Sequence, residues 1–292
     1  MSLNLLNVIE EAAVEAIRRA VISIPPDVKE AIRRAYLEEE SEVAKAQLKA
    51  ILDNIELAER LQRPMCQDTG TMIFYVRVGH GFPAIHAVEE ALVKAVRKAT
   101  QAIPLRPNSV NPFTSTNTGD NTGRYIPYIH WDVVAGDELE FTVVPKGGGS
   151  EYPAVLRMIP PGRGVDAIKE VVLDAVLQAG AMPCPPTIVG VGVGGGADIA
   201  MTLAKKAASL RKVGTRNEDP ALARLEEELH RLVNHLGIGV MGMGGRTTAL
   251  AVHIEYAHRH PANYPVAVVF QCWATRRATA TVKPDASYTI TQ

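Results

Sequence analysis

Cysteine is scarce in this sequence of 292 residues: there are three, at positions 66, 184 and 272, each dozens of residues from the next. That spread excludes a disulfide framework, which needs an even, dense set, and makes the cytoplasm the expected compartment. It also excludes the short C-x-x-C pairs of zinc ribbons and ferredoxins. Net charge is nearly absent too. A formal −1 offers no basic field for nucleic acid and no cationic face for a membrane surface. No apolar run approaches the roughly 20 residues of a membrane span. The N-terminal stretch is apolar at helical spacing but carries Glu10, Glu11 and Glu15, wrong for a signal or transit peptide. Internal repeats, low-complexity tracts and linkers are also missing.

What is present reads as a mixed α/β (α+β) chain, an N-terminal helical layer followed by mixed or antiparallel sheets covered by helices. Leu5, Leu6, Val8, Ile9, Ala13, Ile17 and Val21 make one apolar stripe. Pro25-Pro26 ends that helix, a second is expected over 27–39, and a third over 41–61 with Ser41 as its N-cap. From Pro64 the character changes: β-branched and aromatic strands are expected at 71–78, 125–134, 139–145, 153–159, 187–193, 248–257, 266–272 and 277–283. Helices are expected at 84–102, 165–179, 197–210 and 219–236, and an extended polar tail at 284–292. The organisation expected is one domain over 1–292, with a helical lobe to about residue 62 and a sheet-containing lobe from 63 onward.

Two glycine runs spell G-x-G-x-x-G, at 190–195 and 237–242. A dinucleotide fold would add an acidic strand end about 20 residues on. Here Arg211-Lys212 follows the first run, and no acid precedes Glu255 after the second. Close backbone approach, or an anion nest of backbone N–H groups, fits better. Lys146-Gly147-Gly148-Gly149-Ser150 lacks the Walker A order, yet puts several N–H groups just after a strand.

The cysteines are the candidates for chemistry, against buried structural cysteine as the common case for any one of them. Cys66 follows Pro64 at a helix-to-strand junction, Cys184 sits among Pro183, Pro185 and Pro186, and Cys272 ends a strand beside Trp273. Three thiolates leave one iron of a [4Fe–4S] cluster without a cysteine ligand, open to a carboxylate and a hydroxyl as a Lewis acid. Gln67 and Asp68 stand next to the first cysteine. Arg106 lies in the Asn/Pro-rich loop 103–123, His258 and His260 precede Cys272, and Arg276-Arg277 follow it; all suit an anionic substrate. A zinc protein using three cysteines and a histidine is the competing reading of the same residues.

The motifs CQDTGT at 66–71, NTGDNTGRYIP at 117–127, PKGGGSE at 145–151, CPPTIVGVGVGG at 184–195 and PVAVVFQCWATRRATA at 265–280 resemble the class I iron–sulfur fumarate hydratases and the related L(+)-tartrate dehydratases, in their alpha subunit or N-terminal part. That resemblance implies Cys66, Cys184 and Cys272 as cluster ligands. It implies Asp68 and Gln67 as catalytic, Asp68 in an acid/base role, with Arg106, Gly148 and His260 as substrate contacts. The run His258-Arg259-His260-Pro261-Ala262-Asn263-Tyr264 departs from the family's commoner H-T-H-x-A-G and leaves His258 or His260 for the last role. The implied reaction is reversible hydration of fumarate to (S)-malate, a step of the tricarboxylic acid cycle. The implied alternatives are tartrate dehydration or, in another class, a non-catalytic cluster-carrying subunit. The implied partners are a beta subunit that brings the C-terminal catalytic part and the proton-abstracting base, and a second alpha chain within α2β2.

Overall fold

The structure, a computed structural model, describes residues 2–292. In chain order its elements are α1 (Ser2–Ile22), α2 (Pro26–Glu38), α3 (Glu42–Leu61), β1 (Thr71–Gly79), α4 (Val88–Ala102), β2 (Tyr128–Val134), β3 (Leu139–Lys146), α5 (Gly148–Glu151), β4 (Val155–Met158), α6 (Gly164–Ala179), β5 (Thr187–Gly194), α7 (Ala197–Leu210), α8 (Pro220–His235), β6 (Ala249–Ala257), β7 (Pro265–Gln271), β8 (Ala278–Val282) and β9 (Tyr288–Thr291). The fold is mixed α/β, as the periodicities indicate.

The chain divides into two compact units. One holds residues 1–25, 55–147 and 276–292, the other 26–54 and 148–275. This division differs from the lobe boundary expected near residue 62. The helical segment is shared out: α1 belongs to the first unit, α2 to the second, and α3 crosses between them at Asn54–Ile55.

The first unit is built on a sheet ordered β2-β1-β3-β8-β9. Only β1 and β2 run parallel; the remaining neighbours are antiparallel. Alternation decides which side chains face inward. Met72, Phe74, Val76 and Val78 of β1 join Leu139, Phe141 and Val143 of β3 in a core that α1 and α4 complete. Helix α1 supplies Leu5, Ile9, Ala13, Ile17 and Val21, all buried and spaced by four, as its sequence stripe requires. Phe74 and Phe141 meet edge to face, with ring centroids 6.0 Å apart. The polar tail goes further than an extended end. It forms β9, an edge strand on β8, fastened where Ser23 Oγ bonds Gln292 Oε1 at 2.6 Å and Arg19 Nη1 donates to the Ile290 carbonyl at 2.7 Å.

The second unit has a sheet ordered β4-β7-β5-β6, with β5 and β6 parallel and β7 antiparallel to both β5 and β4. Val189, Val191 and Val193 point to one face, with buried residues of α6 and α8. The opposite parity carries Gly190 and Gly192, and against them lies α7 with Ala200, Ala204 and Ala208. A Cβ on either glycine would collide with the α7 backbone, at Ala204 O or Ala200 O. The G-x-G run is thus a helix–strand contact made of small residues on both sides. Arg211, at the end of α7, is committed elsewhere. Its Nη1 donates to Glu226 Oε1 at 2.5 Å, and the Glu226 side chain is wholly buried.

Candidate functional site

In the first unit the turn after α3 presents Cys66, Gln67 and Asp68. Gln62 takes a left-handed φ of 52° to leave the helix, and the Met65 N–H donates to the Val21 carbonyl at 3.0 Å. Asp68 then closes an Asx turn: its Oδ1 accepts the Gly70 N–H at 3.0 Å and Asn108 Nδ2 at 3.4 Å. Gly70 sits at φ +84° against the backbone of Pro145 and Lys146, where a Cβ would clash, so the D-T-G sequence has a steric cause. Thr69, buried, accepts the Arg106 N–H at 3.0 Å and donates to the Arg106 carbonyl at 3.3 Å. The backbone on both sides of the Arg106 side chain is therefore fixed while that side chain is exposed.

The loop that carries Arg106 is long, polar and ordered by its own amides. Asn121 Oδ1 accepts the Asn108 N–H at 2.6 Å, and Asn121 Nδ2 donates to Thr100 Oγ1 and to the Arg106 carbonyl. Asp120 accepts from the Thr122 N–H and hydroxyl and faces Arg97 Nε at 3.2 Å. Burial alone would raise the Asp120 carboxyl; hydrogen bonds from Thr122 and Thr118, with the Arg97 charge, outweigh it and hold the group below the usual carboxylate range. The N-T-G-D-N-T-G motif is thus a scaffold for Arg106.

Arg276 and Arg277, which in sequence follow the last cysteine and suit an anionic substrate, are buried. Arg276 donates from Nη1 to the Asp68 carbonyl at 2.9 Å and from Nη2 to the Pro145 carbonyl at 3.4 Å. It positions the Asp68 turn.

In the second unit Cys184 and Cys272 come together. Antiparallel pairing sets Ile188 opposite Gln271, so the approach to β5 and the exit from β7 share one end of the sheet. The Trp273 N–H donates to the Cys184 carbonyl at 3.2 Å, and Thr275 Oγ1 caps the Cys272 carbonyl at 2.8 Å. Cys184 adopts a left-handed φ of 50° between its prolines. None of the three cysteines is in a disulfide, and all three are half-buried. Among the described residues no group of three or more His, Cys, Asp and Glu side chains is gathered as a finished metal cage.

Gly148 opens α5 and is exposed beside buried Gly147 and Ser150. What the sequence left as a glycine-rich connection is one short helical turn, with the Tyr152 N–H donating to the Gly148 carbonyl at 2.9 Å. His258 and His260 are both exposed. The Ala262 N–H donates to His260 Nδ1 at 3.1 Å, which puts the ring proton of a neutral imidazole on Nε2. Arg259 grips the loop: its Nη1 reaches the carbonyls of His260, Pro261 and Asn263, and its guanidinium lies 4.3 Å from the Tyr264 ring centre. Arg259, one of the residues at which this run departs from the commoner pattern, is thus a local brace of the loop. No helix among the described residues is long and apolar enough to cross a membrane.

The geometry therefore falls into two groups: Cys66, Gln67, Asp68 and Arg106 in the first unit, and Gly148, Cys184, His260 and Cys272 in the second. The chain passes from one unit to the other at Gly147–Gly148 and back at Thr275–Arg276. The family model described as Fumarate hydratase (Fumerase) matches residues 10–281. A putative L(+)-tartrate dehydratase subunit alpha of Methanocaldococcus jannaschii is 46% identical over 95% of this chain and 99% of its own. The L(+)-tartrate dehydratase subunit alpha of Escherichia coli strain UTI89 is 38% identical over 91% of this chain and 88% of its own, and that of strain K12 is 37% identical over the same shares. With the match running through almost the whole sequence, the chain belongs to the fumarate hydratase (Fumerase) family.

Proposed function

We propose that the chain is the alpha subunit of an iron–sulfur hydro-lyase acting on a four-carbon dicarboxylate, with Cys66, Cys184 and Cys272 as the ligands of one [4Fe–4S] cluster. The observation that carries the reading is the hydrogen bond from the Trp273 N–H to the Cys184 carbonyl, which brings the backbone of Cys184 and the residue after Cys272 together at one sheet end, with neither cysteine in a disulfide. The donor set fits: iron–sulfur clusters take cysteine thiolates, and each of the three cysteines is half-buried in a connection between elements. When bound, such a cluster would supply a Lewis-acidic iron for the substrate's hydroxyl and one carboxylate.

The chain's own residues do the rest. Arg106, anchored through its backbone by Thr69, pairs with a carboxylate; His260 donates from Nε2, and the Gly148 N–H serves a second oxygen. Asp68 is the acid/base for the water that leaves or attacks. Its Oδ1 is turned to the Gly70 N–H, and Arg276 holds its backbone. Gln67, exposed beside it, orients that water. Hydrogen-bond reach to the moving proton is the requirement on Asp68. A beta subunit, implied by the relatives' designation as alpha, brings the base at the neighbouring carbon, and two alpha chains pair within α2β2. The compartment is the cytoplasm.

For substrate, fumarate and (S)-malate follow from the family description, and L(+)-tartrate from the names of the relatives. The relatives weigh toward tartrate, which carries one more hydroxyl; the tricarboxylic acid cycle is the setting only if fumarate is the substrate. The test is anaerobic reconstitution of the alpha and beta chains with iron and sulfide, assayed side by side on L(+)-tartrate and (S)-malate. Turnover of one at least a hundredfold above the other assigns the substrate. Turnover of neither, by a complex that holds its cluster, overturns the hydro-lyase reading.

A further inference from the structure

The first unit's sheet ends in an edge that monomeric proteins usually blunt. Strand β2 is the outer strand, and among the described residues no other strand pairs with its free side. Its sequence, Tyr128-Ile-His-Trp-Asp-Val-Val134, has no proline or lysine to discourage pairing. Val133 is 70% exposed, Tyr128 49% and Trp131 40%. The His80 N–H donates to the Val134 carbonyl at 3.0 Å, which turns the even-numbered peptide groups of β2 toward β1. By alternation the N–H and C=O groups of Ile129, Trp131 and Val133 point outward.

We infer that β2 is the alpha–alpha interface: two copies of this chain join edge to edge, β2 antiparallel to β2, about a two-fold axis at Trp131. The symmetry makes the choice of occupant. An isologous contact must be self-complementary, each residue meeting the one reflected through the centre. Centred on Trp131, Ile129 falls opposite Val133, an apolar pair, and both present outward peptide groups that exchange hydrogen bonds. Trp131 meets its own copy in the same bonded arrangement. His130 falls opposite Asp132, in the non-bonded positions where Cα atoms approach to about 4.5 Å, and this happens twice, once on each side of the axis. Centres on Ile129 or Val133 would pair a shorter stretch and lose the His130–Asp132 match. The inference deepens the paired-alpha reading above and depends on it, but not on cluster or substrate.

The test uses the full chain in sedimentation equilibrium, with two variants. In the wild type a dimer is expected. Trp131→Cys is expected to give a disulfide-linked dimer under mild oxidation, since Cα atoms of a hydrogen-bonded antiparallel pair lie about 5.5 Å apart, within disulfide reach. Val133→Pro removes an N–H that β1 does not use and places a ring on the free edge. It is expected to leave the circular dichroism and melting temperature of the monomer unchanged and to raise the dimer dissociation constant at least tenfold. Combined with Trp131→Cys, it is expected to abolish the cross-link. A monomeric wild type would overturn both the paired-alpha reading and this surface. A dimer that Trp131→Cys does not cross-link, or that Val133→Pro leaves intact, would overturn this surface alone.

Discussion

Replacing Glu226 by glutamine changes one atom of a wholly buried carboxylate and tests the frame on which half of the candidate site rests. Glu226 Oε1 accepts from Arg211 Nη1 at 2.5 Å and from the Ile254 N–H at 2.8 Å; Oε2 accepts the Asn217 N–H at 2.8 Å and Arg211 Nη2 at 3.4 Å. The side chain thus ties the α7–α8 connection to β6. Glutamine keeps the volume but offers an acceptor at only one end. The less costly orientation keeps Oε1 for Arg211 and Ile254 and turns an NH2 toward the Asn217 N–H, donor against donor. Bonds involving a charged partner contribute about 1.5–3 kcal/mol, and removing one member of a buried ion pair costs about 3–5 kcal/mol. With half of the acceptors kept, the expected loss is about 2–4 kcal/mol. At about 2–4 °C per kcal/mol for a unit of this size, the melting temperature falls by about 5–15 °C. The assay is thermal unfolding by circular dichroism, with urea unfolding as a check on the slope. The double replacement Arg211→Met with Glu226→Leu should lose less than the sum of the single replacements, because no buried charge is left alone. A Glu226→Gln protein that melts within 2 °C of wild type (about 0.5–1 kcal/mol) would refute the reasoning.

The other expectations are shorter. Gly192→Ala forces a methyl group onto the α7 backbone at Ala200 and should cost about 1–3 kcal/mol in urea unfolding without altering substrate affinity; a stable variant with weakened binding would point to an anion nest instead. Burial, with help from the Arg216 and Arg34 charges, lowers the His230 pKa against the opposing effect of its hydrogen bond to the Ala249 carbonyl. The folded state therefore prefers neutral His230. Its stability contribution is complete above the unfolded value of about 6.5 and is lost as pH falls through the lower folded value. His230→Gln should flatten that acid limb in melts taken from pH 7.5 down to 5. Asp68→Asn should retain cluster and partner while turnover drops at least a hundredfold, measured on the reconstituted complex, and unaltered turnover would remove Asp68 from the acid/base role.

The elements were largely legible because they rest on local periodicity. The stripe Leu5–Ile9–Ala13–Ile17–Val21 faces the core as its spacing indicates, and the all-buried 187–194 strand reads as a continuous apolar run. The tail did not read as a strand, since Tyr288–Thr291 has no buried face and owes its strand state to β8 and Gln292. Strand order was illegible for a related reason. The placement of Cys184 beside Cys272 depends on β5 pairing with β7 across a long loop of chain, which spacing does not encode. The division into compact units was not legible at α2 and α3, where helical period is indifferent to which unit the apolar face serves. At the candidate site the charged residues were visible in sequence but not their employment. Arg276 looked available to an anionic substrate and is occupied by the Asp68 and Pro145 carbonyls, and Arg211, which the sequence left unassigned, is occupied by Glu226.

The most direct test of the central claim is the visible absorption and electron paramagnetic resonance of the alpha–beta complex after anaerobic loading with iron and sulfide, for the wild type and for Cys66→Ala, Cys184→Ala and Cys272→Ala in turn. The account predicts a [4Fe–4S] signature that shifts when the dicarboxylate substrate is added, and its loss with each single cysteine replaced while each variant keeps its fold by circular dichroism. A full, substrate-responsive cluster in any one of the three variants would contradict the account.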